Sequence, residues 1–205
     1  MEESLTFVGF SDQLASKAST PGGGGASAAV GALSCALGQM VCNLTLGKQK
    51  YADVQDEIQQ IVDALETERH AMLDFVDEDA EAFKPLAKAY SIPKDDPTYD
   101  EVMQAALKRA CEPPVHIMEH VVTVIGYLER LAKIGSRMAL SDVGVAATFA
   151  RAALEGASLN VYINAASLTD RALADDMLGK VETMLAEAGA KAQGVFDSIT
   201  EELKG

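Results

Sequence analysis

Positive charge is scarce in this 205-residue sequence. Lysine and arginine together number 17 against 31 aspartate and glutamate residues, which leaves a formal net charge of −14 at pH 7. A general nucleic-acid-binding protein needs a clustered basic surface for its phosphate contacts, and this composition cannot easily supply one. The sequence therefore predicts no nucleic-acid partner. A small anionic substrate is compatible with it, provided that a few lysines form a local basic patch.

Cysteine is also scarce, and long uninterrupted apolar runs are lacking. The 3 cysteines leave one unpaired in any disulfide scheme and form no Cys-x-x-Cys pair, which favours a reducing compartment and argues against a zinc cage. Glu2 and Glu3 stand where a secretory signal would carry positive charge. The most apolar stretch, 26–46, is interrupted by polar residues, so we interpret it as a buried helix. We expect a cytoplasmic protein with no membrane partner.

Alternating runs of β-branched residues are nearly absent, whereas apolar residues at helical spacing occur throughout. With 48% hydrophobic residues, the chain can form one sizeable core, and we predict a single all-α domain over residues 1–205, a helical bundle with one long helix. Pro113 and Pro114 are expected to end one helix and to begin the next. The predicted helices cover residues 6–17, 26–46, 54–90, 99–111, 114–134, 142–168 and 170–204.

The predicted helix 26–46 is rich in alanine and glycine, so it has little side-chain bulk on several faces. Another backbone must approach it closely, either within its own bundle or from a second copy of the chain. All-helical proteins of this size commonly use such a surface for a homodimer. We therefore expect a homodimer whose contact includes this small-residue helix.

A glycine-rich turn precedes that helix. Pro21 is followed by Gly22, Gly23 and Gly24, and the glycines run directly into the helix. Backbone N–H groups without side chains around them can converge on a ligand, and a helix N-terminus favours negative charge. The alternative is a flexible connector whose glycines only permit a tight turn. No Walker-type Lys and Ser or Thr follow at the required spacing, which argues against a nucleotide-binding loop.

An acidic segment lies inside the predicted long helix. Taking residues 73, 76, 80, 83 and 87 as its apolar stripe, Asp77 and Asp79 fall on the two opposite edges, and each is expected to be semi-buried. A carboxylate at the edge of a core can have a raised pKa, as a general acid or base near neutral pH requires. The alternative is a solvated acidic face with ion pairs one helical turn apart.

The segment from His116 to His120 matches the His-x-x-Glu-His zinc pattern. A catalytic zinc needs a third protein ligand, and His70 is the only further histidine. Short patterns of this kind arise by chance on acidic helices. We therefore predict no metal site.

Two further pairs of polar residues are candidate ligand contacts. Asn160 and Asn164 sit one turn apart on one helix face, so two carboxamides could bind the donor and acceptor edge of a heterocycle. Ser141 and Asp142 stand at the start of the same predicted helix. The alternative is that Ser141 and Asp142 only begin a helix, and that the asparagines satisfy backbone groups between packed helices.

Taken in order, these segments resemble the formimidoyltetrahydrofolate cyclodeaminase and methenyltetrahydrofolate cyclohydrolase family over essentially the whole chain. The sequence is most similar to the free-standing bacterial cyclohydrolases of that family, which share the fourth glycine and the run Met40 to Thr45. The animal members carry this domain behind a formiminotransferase. The matching segments are 20–24, 44–51, 77–83, 92–94, 141–142 and 160–164.

The resemblance implies an all-helical homodimer that binds folate in a cleft beside the glycine turn, with no metal, nucleotide or other cofactor. It also implies that Asp77 is the catalytic acid or base, while Asp79, Ser141 and Asp142 hold the pterin or the water. The substrate's glutamate tail needs positive charge, for which the candidates are Lys48, Lys50 and Lys94.

The expected reaction is hydrolysis of 5,10-methenyltetrahydrofolate to 10-formyltetrahydrofolate. Two alternatives stay open on the sequence. One is the cyclodeaminase reaction of histidine degradation, which releases ammonia. The other is a non-catalytic folate-binding or helical interaction module, in which Asp77 would have no need to lie beside the glycine turn.

Overall fold

A computed structural model describes residues 6–205, and within that range the chain forms six α-helices, two short 3₁₀ helices and no β-strand. The all-α prediction is confirmed, whereas Glu2 and Glu3 lie outside the described residues. The 3₁₀ helices are Gln49–Val54 and Arg137–Ala139. The α-helices are α1 (Phe7–Leu14), α2 (Gly23–Asn43), α3 (Gln55–Ala89), α4 (Tyr99–Ile134), α5 (Leu140–Ala165) and α6 (Arg171–Lys204).

The bundle is built around α2 and α4. Helix α2 packs between α3 and α5, α4 lies behind all three, and α6 covers α4 and α5. The Ser34 hydroxyl of α2 donates to the Ala146 carbonyl of α5 at 2.8 Å, whereas Gly23 of α2 lies beside Asn160 of α5, so these two helices are antiparallel. The centre of the core is formed by fully buried large side chains, among them Leu65, Met72, Ile117, Leu128 and Leu154.

The small residues of α2 allow close packing inside the chain. A Cβ atom at Gly38 would lie 2.7 Å from Leu65 Cδ1, and one at Gly31 would lie 2.8 Å from Met72 Sδ. By length and composition alone α2 could cross a membrane, but 56% of its most apolar window is buried within the bundle. That burial is typical of a core helix, as the sequence predicted.

The three cysteines are all free and buried. Burial raises the pKa of the Cys35 and Cys42 thiols to about 12 and that of Cys111 to about 11. A thiol with such a pKa stays protonated at neutral pH, so these side chains act as small apolar core groups.

Helix α4 differs from the sequence prediction, because it continues through Pro113 and Pro114 instead of breaking there. Both prolines are buried. Pro114 has no N–H to donate to the Ala110 carbonyl one turn earlier, which would leave that acceptor unpaired. The Asn164 side chain of α5 donates to this carbonyl through Nδ2 at 3.0 Å. A hydrogen bond from a neighbouring helix thus replaces the one that proline removes, and sequence pattern alone cannot supply that information.

We expect Asn164→Ala to destabilise the fold by about 1–2 kcal/mol, because it leaves the buried Ala110 carbonyl without a donor. The loss should be smaller in a Pro114→Ala background, where residue 114 can donate its own N–H to that carbonyl. Urea unfolding of both single variants and the double variant measures this coupling. Equal losses in the two backgrounds would show that Asn164 does not compensate for the proline.

Candidate active site

A cleft opens at the end of the bundle where α2 begins, which we call the glycine end. It has a volume of about 330 Å³. Four helices contribute to it: the start of α2, the second half of α3, Ala110 of α4 and the last turns of α5. The cleft is lined by Ser19, Thr20, Gly22, Gly23, Asp79, Phe83, Tyr90, Ala110, Asn160, Ile163 and Asn164.

Asp79 is held directly against the glycine turn. Its Oδ2 accepts a hydrogen bond from the Gly25 backbone N–H at 2.9 Å. A Cβ atom at Gly24 would lie only 2.1 Å from Asp79 Oδ1, so glycine is needed there for the carboxylate to approach. Gly22, the N-cap of α2, offers no side-chain cap. Asp79 therefore caps α2 from a different helix, and the acidic segment meets the glycine turn through Asp79 instead of through Asp77.

The half-buried carboxylate of Asp79 has an altered pKa. Desolvation by burial raises the pKa, and the hydrogen bond from the Gly25 N–H opposes that shift without cancelling it. Among the described residues that line the cleft, Asp79 is the one carboxylate. A desolvated carboxylate with a raised pKa is suited to exchange a proton with a bound molecule.

Asp77 does not line the cleft. Near Asp79 the buried residues of α3 are Met72, Phe75, Val76, Ala82 and Leu86. The centre of this buried face is about one residue out of step with the stripe predicted from the sequence, of which Val76 alone is fully buried. At about 100° per residue, this rotation places Asp79 within the buried face and Asp77 about 200° away from it. Asp77 is exposed, so the prediction that both aspartates are semi-buried is wrong for Asp77. It is not among the residues that line the cleft.

The two asparagines both line the cleft, and each uses one N–H for a backbone carbonyl. Asn160 Nδ2 donates to the Gly156 carbonyl at 3.0 Å, and Asn164 Nδ2 donates to Ala110. A Cβ atom at Gly23 would lie 3.3 Å from Asn160 Nδ2, so this carboxamide packs against the glycine turn. Each carboxamide retains further donor and acceptor capacity for a ligand.

The apolar walls of the cleft were not singled out in the sequence. Phe83 lies four residues after Asp79, Tyr90 lies seven after Phe83, and Ile163 lies three after Asn160. All these spacings keep side chains on one helix face. Extending the spacing from the two polar candidates would have found the walls.

The other predicted ligand residues lie at the opposite end of the bundle. There the Ser136 N–H donates to Thr45 Oγ1 at 2.8 Å, and the Arg137 N–H donates to the Tyr51 hydroxyl at 3.0 Å. These bonds join the segment after α2 to the start of α5. We call this region the lysine end, and its candidate ligand residues are Lys48, Lys50, Ser141 and Asp142.

A full helix separates the two ends. Helix α2 has 21 residues and is therefore about 30 Å long. Within one chain, the lysine end is thus too far away to contact a small molecule held at Asp79. Lys94 is exposed in the turn after α3, four residues beyond Tyr90, and so belongs to the glycine end.

The histidine pair forms a different contact from the one its zinc-like pattern suggests. His120 Nδ1 lies 2.6 Å from Glu68 Oε2, and the His120 ring packs against Phe75 with centroids 5.0 Å apart. His116 is exposed. Across residues 6–205, no three His, Cys, Asp or Glu side chains are grouped so that they could hold a metal ion.

The raised pKa of Asp79 predicts how stability depends on pH. The folded protein binds the proton of the Asp79 carboxyl more tightly than the unfolded chain does. Asp79 therefore lowers the stability of the fold as pH rises from about 4, where an ordinary aspartate ionises, through its own raised pKa. Asp79→Asn should therefore raise Tm relative to wild type at pH 7, with the difference vanishing below about pH 4.

The control is Asp96→Asn. Hydrogen bonds from Thr98 lower the pKa of Asp96, so its carboxylate stabilises the fold above about pH 4 and that benefit is lost as pH falls. This variant should shift Tm in the opposite direction at pH 7. Thermal unfolding from pH 3 to pH 8 measures the Tm of both variants. If both variants change Tm in the same direction at pH 7, the raised pKa assigned to Asp79 is contradicted.

The structure is thus an all-α bundle with a carboxylate-bearing cleft beside a glycine turn. The model of the formiminotransferase-cyclodeaminase family matches residues 6–183. The chain belongs to this family.

Comparisons with individual proteins support membership of the same family. A methenyltetrahydrofolate cyclohydrolase of Methylorubrum extorquens AM1 is 41% identical over 200 residues, which is 95% of each chain. The formimidoyltransferase-cyclodeaminase of Mus musculus is 29% identical over 195 residues, which is 93% of this chain but 36% of the mouse protein. The crystal structure of formiminotetrahydrofolate cyclodeaminase from Thermotoga maritima superposes with a TM-score of 0.86 at 33% identity, covering 99% of this chain and 98% of the other.

Proposed function

We propose that this protein is a methenyltetrahydrofolate cyclohydrolase that converts 5,10-methenyltetrahydrofolate to 10-formyltetrahydrofolate. The observation that carries the proposal is the half-buried Asp79 carboxylate, placed against the glycine turn in a cleft with apolar walls. The 41% identity to a cyclohydrolase over 95% of both chains supports this reaction. Phe83, Tyr90 and Ile163 offer the surfaces on which a flat heterocycle packs.

The chemistry suits a carboxylate. In the substrate, the carbon that bridges N5 and N10 is part of a cationic amidinium, so water can add to it without a Lewis acid. Asp79 takes a proton from the attacking water as the C–O bond forms, and its negative charge offsets the positive charge of the substrate. It then returns that proton to N5 as the C–N5 bond breaks. The hydroxyl proton of the adduct passes to solvent as the C=O bond forms, which leaves a neutral formyl group on N10. The folate itself is the only cofactor that this scheme needs.

The remaining roles follow from position. Asn160 and Asn164 line the cleft beside Asp79 and hold the edge of the heterocycle. Lys94 is placed near the mouth, where it can meet the glutamate carboxylates of the substrate. The acid–base role that the resemblance implies for Asp77 stays a prediction, because its exposed side chain is not part of the cleft lining.

The second candidate function is cyclodeamination of formimidoyltetrahydrofolate. The likeness to the Thermotoga maritima cyclodeaminase favours it. In that reaction N10 adds to the formimino carbon and ammonia leaves after protonation, so the same carbon reacts in the opposite sense. One acid–base carboxylate can serve both reactions.

A direct assay separates these functions. Purified protein is added to 5,10-methenyltetrahydrofolate and, separately, to 5-formimidoyltetrahydrofolate, with a metal chelator present in both. We expect accelerated loss of the methenyl absorbance together with formation of 10-formyltetrahydrofolate. Ammonia release from the second substrate alone would assign the cyclodeaminase function. Binding of both folates without turnover would show a non-catalytic binding module.

The cellular context is proposed on the same basis. We place the protein in the cytoplasm, since its three cysteines are buried and free. Its substrate is a soluble folate, and we propose no nucleic-acid or membrane partner.

A further inference from the structure

Two consecutive prolines leave two backbone carbonyls of α4 without their helical donors. A proline cannot donate an N–H to the carbonyl one turn earlier, so Pro113 frees the carbonyl of Arg109. In the same way, Pro114 frees the carbonyl of Ala110. Of these two residues, Ala110 lines the cleft and Arg109 does not. The second proline therefore provides a backbone acceptor at the wall of the candidate active site.

The freed Ala110 carbonyl determines which way the Asn164 carboxamide points. An asparagine carboxamide that flips about its terminal bond exchanges its oxygen and its amino group with little change of shape. A carbonyl oxygen can only accept a hydrogen bond, so it distinguishes the two orientations. Asn164 Nδ2 lies 3.0 Å from the Ala110 oxygen, and a flip would bring two oxygens together. Asn164 Oδ1 is thereby kept on the side away from the Ala110 carbonyl.

Asn160 is oriented in the same sense by its own helix, because its Nδ2 donates to the Gly156 carbonyl at 3.0 Å. Within residues 6–205, no residue donates a hydrogen bond to Oδ1 of either asparagine. Over the same range, Ser136 Oγ is the one fully buried side-chain polar atom without a partner. Both asparagine oxygens are therefore accessible, and both belong to residues that line the cleft.

Two acceptors one helical turn apart match a particular kind of ligand group. Side chains at this spacing have Cβ atoms about 5–6 Å apart, and the two N–H bonds of one amino group can reach two oxygens so placed. An edge of the ligand made only of acceptors would leave both oxygens unpaired. The pyrimidine ring of a reduced folate carries such an amino group at its 2-position.

We propose that Pro114 is a positioning residue for substrate recognition, because it makes the Ala110 carbonyl the anchor that fixes Asn164 Oδ1 as an acceptor for the folate 2-amino group. This proposal rests on the proposed folate substrate. With alanine at position 114, the N–H of that residue takes the Ala110 carbonyl, as in an ordinary helix. Asn164 is then free to flip and to present its own amino group where the ligand needs an acceptor.

The test compares Pro114→Ala with Pro113→Ala. Pro113→Ala is the matched control, because it restores an N–H to the Arg109 carbonyl, which is not part of the cleft lining. It should change neither KM nor kcat. Pro114→Ala should raise KM for methenyltetrahydrofolate about three- to tenfold, the usual contribution of one hydrogen bond, with kcat within about twofold of wild type. Circular dichroism and urea unfolding verify that both variants are folded.

A substrate analogue shows whether the change acts through the amino group. In the 2-desamino-2-methyl analogue, a methyl group replaces the 2-amino group while the reacting carbon is unchanged. Wild type and Pro113→Ala should prefer the natural substrate in kcat/KM by about tenfold or more. In Pro114→Ala this preference should fall by about threefold or more. A proline that only shaped the helix would raise KM for both compounds alike and leave the preference intact.

Equilibrium binding separates failure of this proposal from failure of the proposed reaction. Calorimetry measures the Kd of 5-formyltetrahydrofolate and of its 2-desamino-2-methyl analogue, and neither compound needs to react. We expect the same loss of preference in Pro114→Ala. If wild type binds 5-formyltetrahydrofolate without hydrolysing the methenyl substrate, the proposed reaction fails, and these Kd values still decide the role of Pro114. Equal preference in wild type and Pro114→Ala, or an equal loss in Pro113→Ala, overturns the positioning role. A wild-type protein that binds neither folate overturns both proposals.

Discussion

Asp79→Asn should lower kcat for methenyltetrahydrofolate hydrolysis by about 10²-fold or more, since general acid and base catalysis contributes roughly that much. Asparagine cannot exchange the proton, but its carboxamide oxygen can still accept the hydrogen bond from the Gly25 N–H. The cap of α2 is therefore kept. The loss should fall mainly on kcat, with a smaller rise in KM because the charge that faces the cationic substrate is removed. Steady-state kinetics, with circular dichroism to verify the fold, measures it.

Asp77→Asn is the matched comparison, because Asp77 lies two residues away on the same helix. Its exposed position predicts a kcat within about threefold of wild type, the range of an indirect surface effect. A larger kcat loss for Asp77→Asn than for Asp79→Asn would assign the acid–base role to Asp77, as the resemblance implies.

The pH dependence of activity provides a second check. Activity should fall as pH decreases, because the base is active only when ionised. Burial raises the pKa of Asp79, so this limb should lie at higher pH than for an ordinary aspartate. The limb should be absent from the residual activity of Asp79→Asn.

Much of the fold was accessible from the sequence, because helical periodicity is local. Where helices begin or continue differently from the prediction, contacts with other helices are the cause. Helix α2 begins at Gly23, three residues before the predicted start, because Asp79 of α3 accepts the Gly25 N–H and caps it. Helix α4 passes Pro114 because Asn164 of α5 pairs with the freed carbonyl. Neither partner lies near its target in the sequence.

The candidate site likewise has features that local sequence predicts and features that depend on contacts between helices. The sequence named both Asp77 and Asp79 as site residues and expected both to be semi-buried, but it assigned the place beside the glycine turn to Asp77, whereas Asp79 occupies it. An apolar stripe placed one residue out of step rotates every assignment by about 100°. The sequence therefore placed both aspartates at the edges of the stripe, whereas Asp79 lies within the buried face and Asp77 faces solvent. Met72, Phe75, Ala82 and Leu86 keep strict spacing, and Asp79 is the charged residue within that pattern. The spacing of buried residues was therefore the better indicator.

The sequence also does not show that the candidate ligand residues lie at two opposite ends of the bundle. Lys48 and Gly23 are only 25 residues apart, and nothing in their sequence context shows that a straight helix of 21 residues separates them. Once α2 is placed, the predicted ligand residues divide between its two ends.

Gly24→Ala should lower kcat about 10- to 10²-fold, because positioning errors near 1 Å at a reacting group cost that order of rate. The new Cβ atom would lie 2.1 Å from Asp79 Oδ1, so the carboxylate must move out of the cleft or the start of α2 must shift. The overpacking should also destabilise the fold by about 1–3 kcal/mol. Kinetics and urea unfolding of the purified variant measure the two effects.

Gly179→Ala, in the first half of α6, is the matched control. A Cβ atom there meets nothing within 4 Å, so this change should stabilise the fold by about 0.5–1 kcal/mol and leave kcat unchanged. Gly24 does not have a positive φ angle, so alanine causes no backbone strain there, and any loss comes from the contact with Asp79. The double variant Gly24→Ala/Asp79→Asn should then be no slower than Asp79→Asn alone. Fully multiplicative losses would show that Gly24 acts on the reaction by a route independent of Asp79.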